Sequence, residues 1–257
     1  MKLSFLQLNI NADNYWEPLS KYLTTHQYDI LHFQEVVGKG TVIGNTNAKR
    51  DMFNFLQTLL GADYQGVLVK TETFTSSPLA YQANATFFKK DFTLIDKKEL
   101  IMKHNAEPFL SNATSFEEIG RKLLHLTLGI QDKQLSLLNT HFAWAKTSEE
   151  HPHQTEQGEM LLSYLKSVKH PFVFSADMNL NPQQPLIKKM NMLARNLTVE
   201  NHVSNTLNPK RHYAKQLFPP GVAVDYIFTS PDLQVNSFTV IEEDISDHFG
   251  LAITFDL

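Results

Sequence analysis

Short apolar runs recur along this chain, and most of them stop on a carboxylate, an amide or an imidazole. Leu3, Phe5 and Leu8 alternate with polar neighbours before Asn9. Asp29 to Val37, with an Ile-Leu-His-Phe core, reads as a buried strand that carries Glu35 near its end. Leu135 to Thr140 leads to His141, Pro171 to Ala176 leads to Asp177 and Asn179, and Asp225 and the pair Asp247-His248 occupy similar junctions. Further strands are predicted at 65–70, 83–89, 92–101, 121–130, 223–229, 235–241 and 249–256, all rich in β-branched and aromatic residues. Between the runs, helical spacing links Trp16, Leu19, Tyr22 and Leu23, then Met52, Phe55, Leu56 and Leu59 up to Gly61, then Met160, Leu161, Tyr164, Leu165 and Val168 within 155–168. Residues 38–47, 103–118 and 141–154 read as loops, and the second half repeats the strand–helix–strand order of the first. Strands interleaved with about four helices predict an α+β fold in which two packed sheets are covered by helices. No short repeat or low-complexity tract is present, which argues against a solenoid.

With 42% hydrophobic and 19% charged residues over 257 positions, the chain has the apolar surface for one large domain spanning 1–257. Lys and Arg total 23 against 27 Asp and Glu, a net charge of −4. That balance lacks the global pull of a general nucleic-acid binder, although a local basic patch or a bound divalent cation can offset it. The absence of cysteine removes disulfides, thiolate metal sites, iron–sulfur clusters and a cysteine nucleophile together. The first ten residues show neither a long apolar stretch nor a small-residue cleavage site, so the expectation is a cytoplasmic protein with no membrane span.

Strand ends on a rigid scaffold are where catalytic groups commonly lie. A carboxylate such as Glu35 directly after a buried run must be solvated, hydrogen-bonded or bound to a cation. Asp177 and Asn179 project to one side if extended geometry persists, where the acid can accept a proton from water and the amide can donate to a phosphate oxygen; Asn-Leu-Asn-Pro is equally turn chemistry. Asp247 and His248, adjacent in sequence, point apart on a strand, so His248 needs another partner, for which Asp225 is the candidate. Arg121, at a strand start, can grip phosphate by a forked hydrogen bond or form a surface ion pair. Trp144, in Phe142-Ala143-Trp144, can stack on a ligand or anchor its loop. The pairs Lys97-Lys98, Lys188-Lys189 and Lys210-Arg211 read most simply as solvated faces. Acids, amides and imidazoles without a thiol or a Gly-rich phosphate loop suit a hard Mg²⁺ or Mn²⁺ ion and water attack on phosphorus.

The ordered series Leu8-Asn9, Phe33-Gln34-Glu35-Val36, Thr140-His141, Asp177-Met178-Asn179, Asp225-Tyr226-Ile227 and Ser246-Asp247-His248-Phe249-Gly250 resembles the endonuclease/exonuclease/phosphatase superfamily over nearly the whole chain. The resemblance implies a four-layer α/β/β/α sandwich with two central, mostly antiparallel sheets. It also implies a monomeric Mg²⁺- or Mn²⁺-dependent phosphoesterase acting on a phosphodiester, either nucleic acid or a small-molecule or lipid ester. Glu35 would be the principal metal ligand, with Asn9 and Asp247 beside it. Asp177 and Asn179 would position and activate water, and His248, oriented by Asp225, would bind the scissile phosphate. His141 would contact a non-bridging oxygen or the leaving group, and Arg121 would stabilise the oxyanion. Ala176 stands where the family usually has Gly. The tyrosine of the abasic-endonuclease branch has no counterpart, which counts against a repair endonuclease. A non-catalytic module on the same sandwich is the competing reading; a serine hydrolase lacks its Gly-flanked elbow.

Overall fold

The computed structural model describes residues 1–43, 46–73, 77–103, 119–145, 147–213 and 221–257. In chain order the elements are β1 (Lys2–Asn9), α1 (Trp16–Thr25), β2 (Ile30–Val37), β3 (Val42–Ile43), β4 (Thr46–Asn47), α2 (Met52–Leu60), β5 (Tyr64–Thr73), β6 (Tyr81–Lys89) and β7 (Thr93–Lys103). There follow β8 (Arg121–Ile130), β9 (Lys133–His141), α3 (Pro152–Ser167), β10 (Phe172–Asp177), α4 (Pro185–Asn191), β11 (Arg195–Asn196), α5 (Leu197–Glu200), β12 (Asp225–Thr229), β13 (Gln234–Ile241) and β14 (Gly250–Asp256).

Two six-stranded sheets form, ordered β13-β14-β1-β2-β6-β5 and β11-β12-β10-β9-β8-β7. Each holds one parallel pair, β1 with β2 and β9 with β10, and the remaining named pairings are antiparallel. A parallel pair needs a crossover, which α1 supplies in one half and α3 in the other. The repeat of strand, helix and strand read from the sequence is therefore the frame of both sheets. Helices α1 and α2 cover one outer face through Leu19, Leu23, Met52 and Leu56, and α3 and α4 cover the other through Leu161, Leu165, Leu186 and Met190. These are the four layers of the expected sandwich.

Between the sheets the interior changes character along the strands. On β1 the inward positions run Leu3, Phe5, Gln7, Asn9; on β2, Ile30, His32, Gln34; on β9, Leu135, Leu137, Asn139, His141; on β10, Val173, Ser175, Asp177. One end of the sandwich is thus hydrocarbon and the other is buried amide, hydroxyl and acid. Leu8, grouped with Leu3 and Phe5 by simple alternation, lies instead with Leu6 under the outer helices.

Helix α3 begins at Pro152, earlier than the apolar spacing indicates. The Gln154 side-chain oxygen accepts from the His151 N–H at 2.9 Å and its amide donates to Ala143 O at 2.7 Å, so a polar residue closes the first turn. The expected loop 38–47 holds the short antiparallel pair β3 and β4, and of the expected loop 103–118, residues 104–118 lie outside the described residues. Ala176 sits fully buried within β10, where an L residue needs no glycine-like backbone. Among the described residues no helix is long and apolar enough to cross a membrane.

Candidate active site

The polar end of the interior opens into a cleft of about 440 Å³. Strict alternation on β2 would send Glu35 outward with Leu31 and Phe33, beneath the helices. The β2–β6 register shifts between Phe33 and Val36, and Glu35 takes a left-handed backbone, φ 56°. This bulge turns the Glu35 carboxylate into the cleft beside the inward Gln34. Asn9, at the end of β1, donates from Nδ2 to Glu35 Oε1 at 3.2 Å and to Asp177 Oδ2 at 2.9 Å. Its Oδ1 accepts from the Asn11 N–H at 3.0 Å, leaving that oxygen one lone pair for a cation.

Strand β10 ends at Asp177, and the extended geometry stops there. Asp177 Oδ1 accepts from the Asn179 N–H at 3.0 Å, with Asn179 at φ 53°, so a side-chain-closed turn, not a continuing strand, sets the two side by side. Asn179 Nδ2 donates to Phe142 O at 3.2 Å and stands 3.0 Å from His141 Nε2. A carbonyl can only accept, so the amide nitrogen is the group facing both, and His141 Nε2 must be an acceptor. Burial lowers the His141 pKa to about 3, which keeps the ring neutral with its proton on Nδ1. That buried Nδ1 has no hydrogen-bond partner among the described residues and lies 3.7 Å from Glu35 Oε1.

His248 behaves oppositely. Burial alone would lower its pKa, but Asp225, Asp177 and Asp247 outweigh that and hold it well above the ordinary value. Nδ1 donates to Asp225 Oδ2 at 2.8 Å, and Nε2 lies 3.8 Å from Asp177 Oδ2. The one hydroxyl proton of Ser246 goes to Asn9 O at 2.6 Å, with Asp247 Oδ1 3.3 Å from that hydroxyl, and among the described residues no hydrogen bond joins Asp247 to the adjacent imidazole. Arg121, only 2% exposed, lines the cleft with no hydrogen-bond or ion-pair partner for its guanidinium among the described residues. Burial lowers its pKa to about 10, against the opposing pull of Glu35 and Asp177, so it stays a cation at neutral pH. An unpaired buried charge is costly unless a ligand supplies the counter-charge.

All nine residues singled out in the sequence meet here: Arg121, Glu35, Asp177, Asn179, His141, Asp247 and His248 line the cleft, and Asn9 and Asp225 hold them from behind. Glu35 is pushed up to about 7, first by burial and then by Asp247. A buried carboxylate whose charge is further disfavoured by Asp247 marks an oxygen-donor set short of positive charge, which fits a hard divalent cation. Two further groupings, His212-Asp247-His248 and Asp177-Asp225-His248, bring ligand atoms within 4.8 Å of one another. His212, whose ring meets His248 edge-on at 5.3 Å, was not evident from sequence because no strand pattern leads to it. Phe142 and Ala143 are core, whereas Trp144 reaches the cleft wall. Lys97, Lys98, Lys189 and Arg211 are paired with Glu99, Asp96, Glu159 and Asp244, as solvated faces should be.

No family model and no curated protein matches this sequence. Solved structures do match. An endonuclease/exonuclease/phosphatase from Bacteroides vulgatus superposes with TM-score 0.73 at 17% identity over 100% of this chain and 99% of that one. A Bacteroides thetaiotaomicron mannosyl-6-phosphatase gives 0.72 at 14% over 99% and 100%. D. rerio TDP2 complexed with single strand DNA product gives 0.69 at 16% over 100% and 99%. The fold is that of the endonuclease/exonuclease/phosphatase proteins.

Proposed function

We propose that residues 1–257 act as one catalytic unit, a divalent-metal-dependent phosphoesterase that cleaves a phosphodiester by in-line attack of water. The observation that carries this reading is the meeting, in one cleft, of three acids around Asn9 with two buried cations, His248 and the unpartnered Arg121. Glu35 and Asp247, with the free lone pair of Asn9 Oδ1, would hold Mg²⁺ or Mn²⁺. When bound, the ion would polarise a phosphoryl oxygen and offset its charge.

Asp177 is the candidate base. Its carboxylate, fixed at both oxygens by Asn9 and the Asn179 N–H, takes the proton as the water oxygen bonds to phosphorus and the ester P–O bond breaks, the departing oxygen keeping the electron pair of that bond and taking a proton from solvent water. His248, a cation with Nδ1–H on Asp225, is unsuited to the base role and suited to stabilising the pentacovalent charge. Arg121 supplies a further donor to the non-bridging oxygens. Asn179 fixes the His141 tautomer, which turns Nδ1–H toward Glu35 at the wall of the cleft.

Two substrate classes fit this chemistry. The likeness to TDP2 complexed with a single-strand DNA product supports nucleic acid. The modest cleft, lined among the described residues by no lysine and by Trp144, Ile43 and Val222, supports a compact small-molecule or lipid phosphoester. Incubation with a chromogenic phosphodiester and Mg²⁺ or Mn²⁺ tests the common core. Turnover is expected to vanish in chelator, in Glu35→Gln and in Asp177→Asn; wild-type turnover in Asp177→Asn refutes the mechanism.

A further inference from the structure

Asp225 is gripped at both oxygens. Oδ2 accepts from His248, and Oδ1 accepts from Gln7 Nε2 at 3.0 Å. The second N–H of Gln7 goes to Gln34 Oε1 at 2.9 Å, Gln34 Nε2 goes to Asn139 Oδ1 at 2.7 Å, and Asn139 Nδ2 donates to Ala85 O at 2.8 Å and Phe33 O at 3.3 Å. All four side chains are fully buried, and the row crosses from β9 to β2 and β1 and back to β12.

The direction of every bond in this row is determined. Backbone carbonyls only accept, so Asn139 must present its nitrogen to them and its oxygen to Gln34. Gln34 must then turn its nitrogen to Asn139 and its oxygen to Gln7, and Gln7 must face Gln34 and Asp225 with its nitrogen. A reversed Gln7 would set its oxygen against two acceptors. The cost of this arrangement is visible, since Gln7 Oε1 is buried without a partner among the described residues. A Met or Leu would fill the same space without it. The return is confined to the two N–H groups, one of which ends on the acid that orients His248.

We infer that Gln7 is a positioning residue for the reaction: it locks the Asp225 carboxylate so that the remaining oxygen aligns His248 with the cleft, and Gln34 and Asn139 hold the Gln7 amide in the only orientation that does so. The inference rests on the proposed phosphoesterase reading for the part His248 plays in turnover. An acid that fixes an imidazole's orientation is itself useful only when its own rotation is stopped.

Gln7→Met keeps the volume and removes both donors. Its kcat toward a chromogenic phosphodiester with Mn²⁺ should fall about 10- to 100-fold with KM little changed, and in the metal-free chain the downfield Nδ1–H proton resonance of His248 should broaden or disappear. Because Gln7 acts through Asp225, the double variant Gln7→Met/Asp225→Asn should be no slower than Asp225→Asn alone. Gln34→Met, which leaves the Gln7–Asp225 contact possible but unoriented, should show a smaller loss of the same kind and serves if Gln7→Met does not fold. Wild-type kcat and resonance in whichever of the two variants folds, or losses that multiply in the double variant, overturn the inference. If the wild-type chain turns over no phosphoester, the functional reading fails, and the resonance alone still decides whether Gln7 holds the Asp225–His248 pair.

Discussion

Glu35 binds its proton more tightly in the folded chain than in the unfolded one, because burial and then Asp247 disfavour its charge. Between its ordinary 4.5 and the folded value of about 7 the native state holds more protons, so this residue's contribution to stability declines as pH rises through that window. A cation that needs the ionised form reverses the trend. Metal affinity, read by calorimetry from about pH 5.5 to about 8.5, is expected to climb roughly tenfold per pH unit below 7 and then level off; Glu35→Gln should abolish the climb, and a flat wild-type profile would contradict it. Asp225→Asn is a second test at this scale. Because Gln7 donates to one position of this side chain, the new amide must keep its oxygen there and turn its NH₂ toward His248 Nδ1, and kcat should drop by roughly 10²- to 10⁴-fold with the fold intact, checked by steady-state kinetics beside a thermal melt.

At the scale of elements, the β2 bulge shows how a strand is bent to serve a site. A non-glycine residue in left-handed conformation costs about 1–2 kcal/mol, more for a β-branched side chain. Glu35→Gly removes that strain and the repelled carboxylate together, against a flexibility cost of about 0.5–1 kcal/mol. The metal-free Gly variant should therefore melt at or above the wild type near neutral pH while losing its thermal response to Mg²⁺. Glu35→Val, by contrast, should lose about 1–3 kcal/mol in a denaturant melt; a Val variant as stable as the Gly variant would mean that the bulge carries no strain. The same bulge explains why alternation fails on this strand: the pattern Leu31, Phe33 continues in the sequence to Glu35, but two residues, Gln34 and Glu35, stand opposite one on β6.

For the whole molecule, the charge of −4 takes on a specific meaning. Carboxylates are concentrated where a cation would neutralise them, and the cations facing the cleft are Arg121 and His248 among the described residues, while several surface lysines are tied to neighbouring acids. Phosphate-gripping contacts are therefore few. A plot of log kcat/KM against log salt for a short oligonucleotide should have a slope no steeper than about −2; a slope near that of a protein making six or more phosphate contacts would point to a duplex-binding surface. Turnover of a small phosphodiester should be nearly insensitive to salt.

Much of this was legible in the chain itself. Strand composition, helical spacing and the repeated order of the halves determined the layers, because burying one face of each element leaves few ways to stack them. The acids, amides and imidazoles at strand ends marked the residues that gather at one candidate site, because such groups are costly beside apolar runs unless they are partnered or solvated. Tertiary structure alone decided which way each one faces. The Glu35 bulge, the turn that sets Asn179 beside Asp177 and the pairing of His248 with an acid 23 residues away all depend on backbone geometry or on contacts between sheets. Gln7, Gln34 and Asn139 look like ordinary polar interruptions of apolar strands, and only the closing of one sheet on the other joins them into a row that ends on Asp225.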